Sequence, residues 1–417
     1  MYARRTFALA PVLSLVVFLA AACSDSAATE AATPAPAPPE AGSQPEPARD
    51  AGQEGDAAIV PQPSAFGPPG TIDSAFGANG LAVIKAPANL PAPTVTKVLV
   101  QPDQKILLAG ATRESWTFAR MLPDGQMDPA YGIGGVARVV VAADEYLSDA
   151  VLDGTTLYGV GGVSLGASAD RSIVIFRLDA TGKLDPGFGS GGFVDTGRKT
   201  VADVAALRIA IAPGNKLVVA GESNVLRYSA AGAPDTTFGQ AGRATVPMAL
   251  GARPFAVEAS GHVVVGGSDG VYRVQPNGQS EHWGAAAPPP RVAVARGQEL
   301  WFLDKVGPRF TSQTVDPATG GLEPTYADSL EAPTGDWLSE GLLDASQRWV
   351  AIFETTASGH GLSVTRTKAD FSGYDLSFGK SGHAVLGLQL VPVGAALAPD
   401  GRIVIASREG VVMRLFP

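Results

Sequence analysis

Asp73-Ser74-Ala75-Phe76-Gly77 is the first of five clear copies of one pattern, D-x-x-[FY]-G, each leading into a glycine-rich turn. The others are Asp128–Gly132, Asp185–Gly189, Asp235–Gly239 and Asp375–Gly379. Two worn copies fill the gap before the last, Glu281-His282-Trp283-Gly284 and Glu323-Pro324-Thr325-Tyr326-Ala327. The aromatic residues stand at 76, 131, 188, 238, 283, 326 and 378, spaced by 43 to 57 residues. Self-similarity at such a period is the mark of a repeat architecture built from one supersecondary unit.

A second signal recurs with the same frequency. Short apolar runs follow polar turns: Ile106–Gly110, Leu157–Gly161, Leu217–Gly221, Val263–Gly267, Leu300–Leu303, Trp349–Ile352 and Ile403–Ala406. A run of this length without alternation reads as a strand buried on both faces. The turns ahead of it carry hairpin chemistry, as in Pro102-Asp103-Gln104-Lys105, Pro213-Gly214-Asn215-Lys216 and Pro399-Asp400-Gly401-Arg402. The first full unit reads as four strands, Leu81–Lys85, Lys97–Gln101, Lys105–Ala109 and Thr117–Leu122. Seven such units predict an all-β fold, a seven-bladed β-propeller of four-stranded blades. A β-helix needs shorter rungs, and separate β-sandwiches need about 100 residues each.

The two ends complement each other. The chain stops at Arg414-Leu415-Phe416-Pro417, and Arg120-Met121-Leu122-Pro123 is the same kind of segment placed just before a D-x-x-[FY]-G copy. Gly70-Thr71-Ile72-Asp73 begins where that C-terminal segment leaves off. The ring is therefore expected to close with strands from both termini, which removes open sheet edges.

Residues 1–22 read as a signal peptide, with Arg4 and Arg5 ahead of an apolar run from Ala8 to Ala22. The run is too short and too interrupted, by Pro11 and Ser14, to read as a membrane span. Its end, Leu19-Ala20-Ala21-Ala22-Cys23-Ser24, resembles a bacterial lipobox, though Ala20 stands where that family usually has Leu. The resemblance implies cleavage before Cys23 and a lipid on its sulfur; an ordinary secretory signal with a chance cysteine is the other reading. Ser24, in place of Asp, implies sorting to the outer membrane. Cys23 is the sole cysteine, so no internal disulfide is possible and stability must come from a packed core. Residues 23–65 are rich in Ala, Pro, Glu and Gly and carry few large apolar side chains, so they are expected to form a disordered tether. A Pro-rich ligand for a partner's groove is the alternative use of that stretch. Residues 66–417 form the propeller.

The motif residues have a structural explanation. An aspartate can accept hydrogen bonds from backbone N–H groups two residues on, the aromatic can plug the space between blades, and glycine permits positive φ. The rival, a repeated cation site, fails on donor count, since one carboxylate per repeat is too few oxygens for calcium. The pairing of Leu184-Asp185-Pro186-Gly187-Phe188-Gly189-Ser190-Gly191-Gly192 with Pro102-Asp103-Gln104-Lys105-Ile106-Leu107-Leu108-Ala109-Gly110 resembles the delta-60 repeat, a β-propeller family of largely unassigned function in bacterial secreted proteins. The resemblance covers about residues 70 to 417, weakens over 270–370, and implies no catalytic residues. The motif also resembles the Asp-box turn of sialidase propellers, with a different residue order.

Chemistry-bearing motifs are sparse. His262, His282, His360 and His383 read as solvated turn residues, and none has metal-ligand spacing. There is no G-x-S-x-G elbow or phosphate-binding G-x-x-x-x-G-K-[ST]. Asp144-Glu145 and Glu340–Asp344 are acid candidates that read as surface loops. No metal or cofactor is implied. Loss of Arg4 and Arg5 takes the formal charge from −9 to −11, and setting aside the tether's −6 leaves −5 for the propeller. An acidic chain lacks the basic footprint of a nucleic-acid binder.

Repeats five and six lose the motif and gain Trp283, Trp301, Trp337 and Trp349. Trp301 and Trp349 fall in predicted core strands, and Trp337 is the candidate for an exposed ligand surface. The expected function is a lipid-anchored envelope protein whose propeller binds a protein or glycan without catalysis. The alternatives are an envelope polysaccharide lyase or glycosidase with its site in the funnel, and a scaffold for outer-membrane protein assembly. An enzyme should gather Asp, Glu, Tyr or Arg at one funnel mouth, whereas a binder should show an apolar or aromatic patch without them.

Overall fold

The computed structural model describes residues 67–417, apart from 113, 142, 165–170, 201–206, 222, 247–249, 268–269, 284–291, 297–298, 307–308, 317–321, 324–329, 332–335, 356–360 and 389, together with some side chains beside these stretches. Among them are seven antiparallel sheets and no α-helix. Blade 1 is Thr94–Val100, Ile106–Ala111, Trp116–Met121 and Val136–Val139, paired in that order from the axis outward. Blades 2, 3, 4 and 6 repeat the plan, with innermost strands Ala143–Asp153, Arg208–Ala212, Leu250–Val257 and Asp336–Leu343. Blade 5, which starts at Val292–Arg296, adds a two-residue strand, Leu330–Glu331, against its third strand Arg309–Val315.

Blade 7 comprises Pro392–Leu397, Ile403–Ser407 and Val411–Leu415, and its fourth strand is Leu81–Val83 from the other end of the chain. The ring therefore closes as expected, but the blade boundary moves. Leu81–Val83 belongs to the last blade and not to the unit formed by the three strands after it. The D-x-x-[FY]-G segment explains the shift: Asp128 N donates to Arg120 O, so the motif folds back on the third strand of its own blade and the strand after it completes that blade.

Burial follows the blade interfaces. Seven apolar clusters stand one between each neighbouring pair of blades. The second strand of each blade feeds two of them by strict alternation. Ile106 and Leu108 pack toward blade 7, while Leu107 and Ala109 pack toward blade 2. Leu217 and Val219 likewise face blade 2, and Val218 and Ala220 face blade 4. This two-faced burial is why these runs lack a polar face, and each large side chain so placed contributes about 1.5–3 kcal/mol. Trp116 stacks on Phe176 of the next blade with centroids 4.3 Å apart. Trp301 and Trp349 are core residues as expected, both buried.

Candidate functional site

Each full motif builds a lock between two blades. The aspartate Oδ1 accepts from the N–H two residues on, at 3.0 Å for Ala130, 2.9 Å for Gly187 and 3.1 Å for Thr237. Its Oδ2 takes an arginine from the third strand of the same blade: Arg120 to Asp128 at 2.9 Å, Arg177 to Asp185 at 2.9 Å, Arg227 to Asp235 at 2.7 Å and Arg366 to Asp375 at 3.0 Å. The same guanidinium lies over the motif's aromatic ring, 4.4 Å from Tyr131 and 4.5 Å from Phe238. The glycine then donates to the next blade, Gly132 N to Thr181 O at 3.0 Å and Gly239 N to Asn277 O at 2.9 Å. A second cation enters from the hairpin turn ahead of the second strand. Lys105 reaches Asp128 at 3.7 Å, Arg348 reaches Asp375 at 3.0 Å, and Lys216 also holds Asp235. The two sequence signals, hairpin turn and aspartate motif, are thus the two ends of one ion pair.

These carboxylates are committed to the fold. Burial of Asp235 opposes its ionisation, but hydrogen bonds from Lys216, Thr237 and Arg227 outweigh that and hold it well below the ordinary carboxylate range. Asp375 is lowered in the same way, with Ser377, Arg366 and Arg348 overcoming the effect of burial. Burial drives Tyr131 well above the ordinary phenol range. Among the described residues no three His, Cys, Asp or Glu groups converge as a metal site. The worn fourth blade keeps the arginine–aromatic half of the lock, Arg273 over Trp283 at 4.9 Å, and moves the acid to Glu258, 2.6 Å from Arg273. The arginine was the part of the lock not read from sequence. Its signal was a fixed offset: Arg120, Arg177 and Arg227 each stand eight residues before their aspartate.

The open space lies on the axis. The innermost strands begin at one face of the ring, and a cavity of about 700 Å³ opens there, lined by Thr94, Thr96, Thr112, Tyr146, Ser148 and Ser339 with a few aliphatic groups. Three arginines share its wall: Arg408 is exposed, while Arg171 and Arg208 are half-buried. The volume falls in the usual range for ligand pockets. Its acid, Glu145, is buried and accepts from Trp116 N at 3.0 Å and from Val141 N. A deeper chamber of about 240 Å³ shares Thr96, Ser148 and Arg208 with the first and adds Lys97, Asp149, Phe255 and Glu340. Asp149 accepts from Ala150 N at 3.0 Å and Ile209 N at 3.2 Å, and pairs with Lys97 at 3.6 Å. Asp149 thus braces the inner strands of blades 2 and 3 and Glu145 holds the start of the third strand of blade 1, and among the described residues of the mouth arginines outnumber acids.

The sequence-predicted residues are placed as follows. Glu145 and Asp344 are buried, not loop-exposed, and Asp344 holds its turn by accepting from Ser346 N and Arg348 N at 2.9 Å each. His262 sits in its turn, hydrogen-bonded to Ser260 at 2.9 Å. His383 corrects the turn reading: it lies in the outer strand His383–Leu386, 2.9 Å from Thr365 Oγ1 and edge-on to Tyr374, and burial lowers its pKa. His282 likewise lies in a strand, Ser280–Trp283, with its ring centroid 4.8 Å from that of Tyr272. Trp337 belongs to the inner strand Asp336–Leu343, but its side chain lies outside the described residues, as do His360, Cys23 and the tether.

The chain is a seven-bladed β-propeller with a polar, arginine-bearing mouth. Residues 213–238 match the family described as a domain of unknown function (DUF5122) β-propeller. That stretch runs from the hairpin turn of blade 3 to the aromatic of its lock. Comparison with curated proteins gives no match. Among solved structures, the chain is similar to the WD40 β-propeller domain of Doa1, with 12% identity over 80% of this chain and 96% of that one and a TM-score of 0.49. It is also similar to the extracellular domain of a hybrid two component system, BT4673, from B. thetaiotaomicron (14% identity, 80% of this chain and 39% of that one, TM-score 0.44). YCF48 from Cyanidioschyzon merolae is a further likeness, at 11% identity over 78% of this chain and 97% of that one, with a TM-score of 0.46.

Proposed function

We propose that the protein is a bacterial envelope lipoprotein of the delta-60 repeat kind, anchored through Cys23, whose propeller is a non-enzymatic module that binds a protein or glycan at its channel mouth. The observation that carries this reading is the mouth itself, a cavity of ligand size lined by Arg171, Arg208 and Arg408, of which Arg208 also donates to Leu207 O, while Glu145 and Asp149 are tied to backbone N–H groups. Acid–base chemistry needs a titratable side chain within reach of substrate, and the carboxylates of Glu145 and Asp149 are engaged in the wall, which leaves Tyr146 and, in the deeper chamber, Glu340. The position of Gly67 adds to it. The chain enters the ring beside Phe416, at the face of the locks and hairpin turns, opposite the mouth.

The second reading, an envelope polysaccharide lyase or glycosidase, is favoured by one observation: Glu145, Tyr146, Arg171, Arg208 and Arg408 gather at one mouth, the pattern expected of an enzyme. The two readings differ in whether the bound polymer is cut. The test of the first combines fatty-acid labelling of the wild type and of Cys23→Ala with in-cell photocrosslinking from Thr112, at the mouth, and Gln126, at the opposite face. Label lost with Cys23 and ligand captured from Thr112 alone are the expected results. Label retained without Cys23, or capture from Gln126 alone, would overturn the reading.

A further inference from the structure

We infer that the mouth takes an acidic glycan, its carboxylates gripped by Arg171, Arg208 and Arg408; this rests on the reading of the propeller as a binding module. The three arginines come from three blades. Arg171 opens the third strand of blade 2, Arg208 opens the innermost strand of blade 3, and Arg408 follows the second strand of blade 7. All three line one cavity of about 700 Å³. A guanidinium presents a planar fork of donors that matches a carboxylate, so arginine is the side chain suited to recognising that group at a partly desolvated site. Electrostatic focusing in a cleft strengthens the effect, and here the described lining carries three arginines against one acid, Glu145.

The rest of the wall selects the polymer. Between the arginines stand the hydroxyls of Thr94, Thr96, Thr112, Ser148 and Ser339; those of Thr96, Thr112 and Ser339 donate to Ala109 O, Ser115 O and Pro392 O and keep lone pairs that can accept. Sugar hydroxyls can donate to such acceptors. An acidic peptide would instead be read through apolar side-chain pockets, and the large apolar side chain on this wall, Leu147, is buried. Tyr146 is the one aromatic among the described residues of the wall and supplies an amphipathic surface of the kind sugar rings pack on.

The test measures equilibrium binding of polygalacturonate, neutral dextran and poly-L-glutamate to the full chain at low and high salt. Polygalacturonate should bind saturably, weaken with salt, and exceed poly-L-glutamate by about tenfold or more, while dextran should not bind. Each of Arg171→Gln, Arg208→Gln and Arg408→Gln should lower affinity about tenfold, the scale of one charge-assisted hydrogen bond. Arg408→Lys should retain more affinity than Arg408→Gln, and because Arg408 is exposed, neither change threatens the fold. Arg243→Gln, on the outer strand of blade 3, should bind as the wild type does. No saturable polygalacturonate binding, unchanged affinity in all three glutamine variants, or equal binding of poly-L-glutamate would overturn the assignment. A preference for poly-L-glutamate through the same arginines would leave the binding module standing and remove the glycan. Shortening of bound polygalacturonate would leave the glycan standing and remove the non-enzymatic reading.

Discussion

Arg414 and Asp73 are 341 residues apart in the chain, and their side chains meet at 2.7 Å. The pair repeats what Arg120 and Asp128 do across eight residues, and Arg414 lies over Phe76 at 4.7 Å as Arg120 lies over Tyr131. At every other lock the arginine and aspartate are joined by a short turn. At the seam the lock itself must hold the ends together, helped by the antiparallel pairing of Leu81–Val83 with Val411–Met413. Removing one partner from a buried ion pair costs about 3–5 kcal/mol, because the other charge is left buried. Asp73→Ala should therefore destabilise by that amount in denaturant unfolding, as should Asp128→Ala. Only Asp73→Ala should also speed hydrogen exchange across Leu81–Val83 and Val411–Leu415. Equal exchange in the two variants would mean that the seam is held by its strands alone.

The same seam predicts a circular permutant. Gly70 N donates to Phe416 O at 2.9 Å, and Phe416 N to Thr71 O at 3.0 Å. In blade 1 the covalent turn gives Gly125 N to Leu122 O at 2.9 Å and Leu122 N to Gln126 O at 2.7 Å. Phe416 thus stands where Leu122 stands, and Pro68-Pro69-Gly70 stands where Pro123-Asp124-Gly125 does. Fusing Phe416 directly to Pro68 and opening the chain between Asp153 and Gly154, in an exposed hairpin away from the seam, should preserve the ring, since termini at exposed turns with close ends are well tolerated. A cooperative melt within a few degrees of the parent is the expected outcome. A non-cooperative melt would show that Pro68-Pro69-Gly70 does not serve as a covalent turn after Phe416.

The fold was legible because its two strongest signals are local. Proline, glycine and aspartate at fixed offsets report turns, and an unbroken apolar run such as Leu217–Ala220 reports a strand with two buried faces. The blade boundary was not legible in the same way. Leu81–Val83 precedes Thr94–Val100 in sequence, and its assignment depends on the third strand that ends the chain. The mouth was less legible still. Arg171, Arg208 and Arg408 are 37 and 200 residues apart, have no shared motif, and converge only because inner strands from several blades begin at one face. Glu145 reads as an exposed acid beside Asp144, but its carboxylate bonds Trp116 N on the neighbouring blade, a contact no local pattern encodes.

The locks also set the acid limit of the fold. Asp235 and Asp375 have folded-state pKa values below the ordinary value of about 3.9. A depressed carboxylate contributes its full stability above its unfolded pKa, and that stability is lost as pH falls toward the folded value. Wild-type stability should therefore decline below about pH 4. Asp235→Asn should be less stable than the wild type at neutral pH, and the gap should narrow as pH falls through that window. Denaturant midpoints measured from pH 7 to pH 2 would check it, and a gap that stays constant with pH would show that Asp235 acts by packing and not by charge.

Glycine at the end of each motif is required by two separate constraints, and substitution can tell them apart. Gly132 has φ of +55°, and a Cβ there would meet Val136 O at 2.1 Å. Gly154, in the hairpin of blade 2, has nearly the same φ of +59°, yet a Cβ there would meet nothing within 4 Å. Left-handed backbone alone costs a non-glycine residue about 1–2 kcal/mol. Gly154→Ala should lose about that much, and Gly154→Asn less, since asparagine tolerates this region. Gly132→Ala must in addition displace the strand that begins at Val136, which would pull Gly132 N from Thr181 O and open the lock to blade 2. Its loss should therefore exceed that of Gly154→Ala by more than 1 kcal/mol, as expected when backbone must move to relieve an overlap. Gly132→Asn should bring no rescue. Unfolding of the four variants in denaturant provides the comparison, and equal losses at the two positions would refute the steric half of the argument.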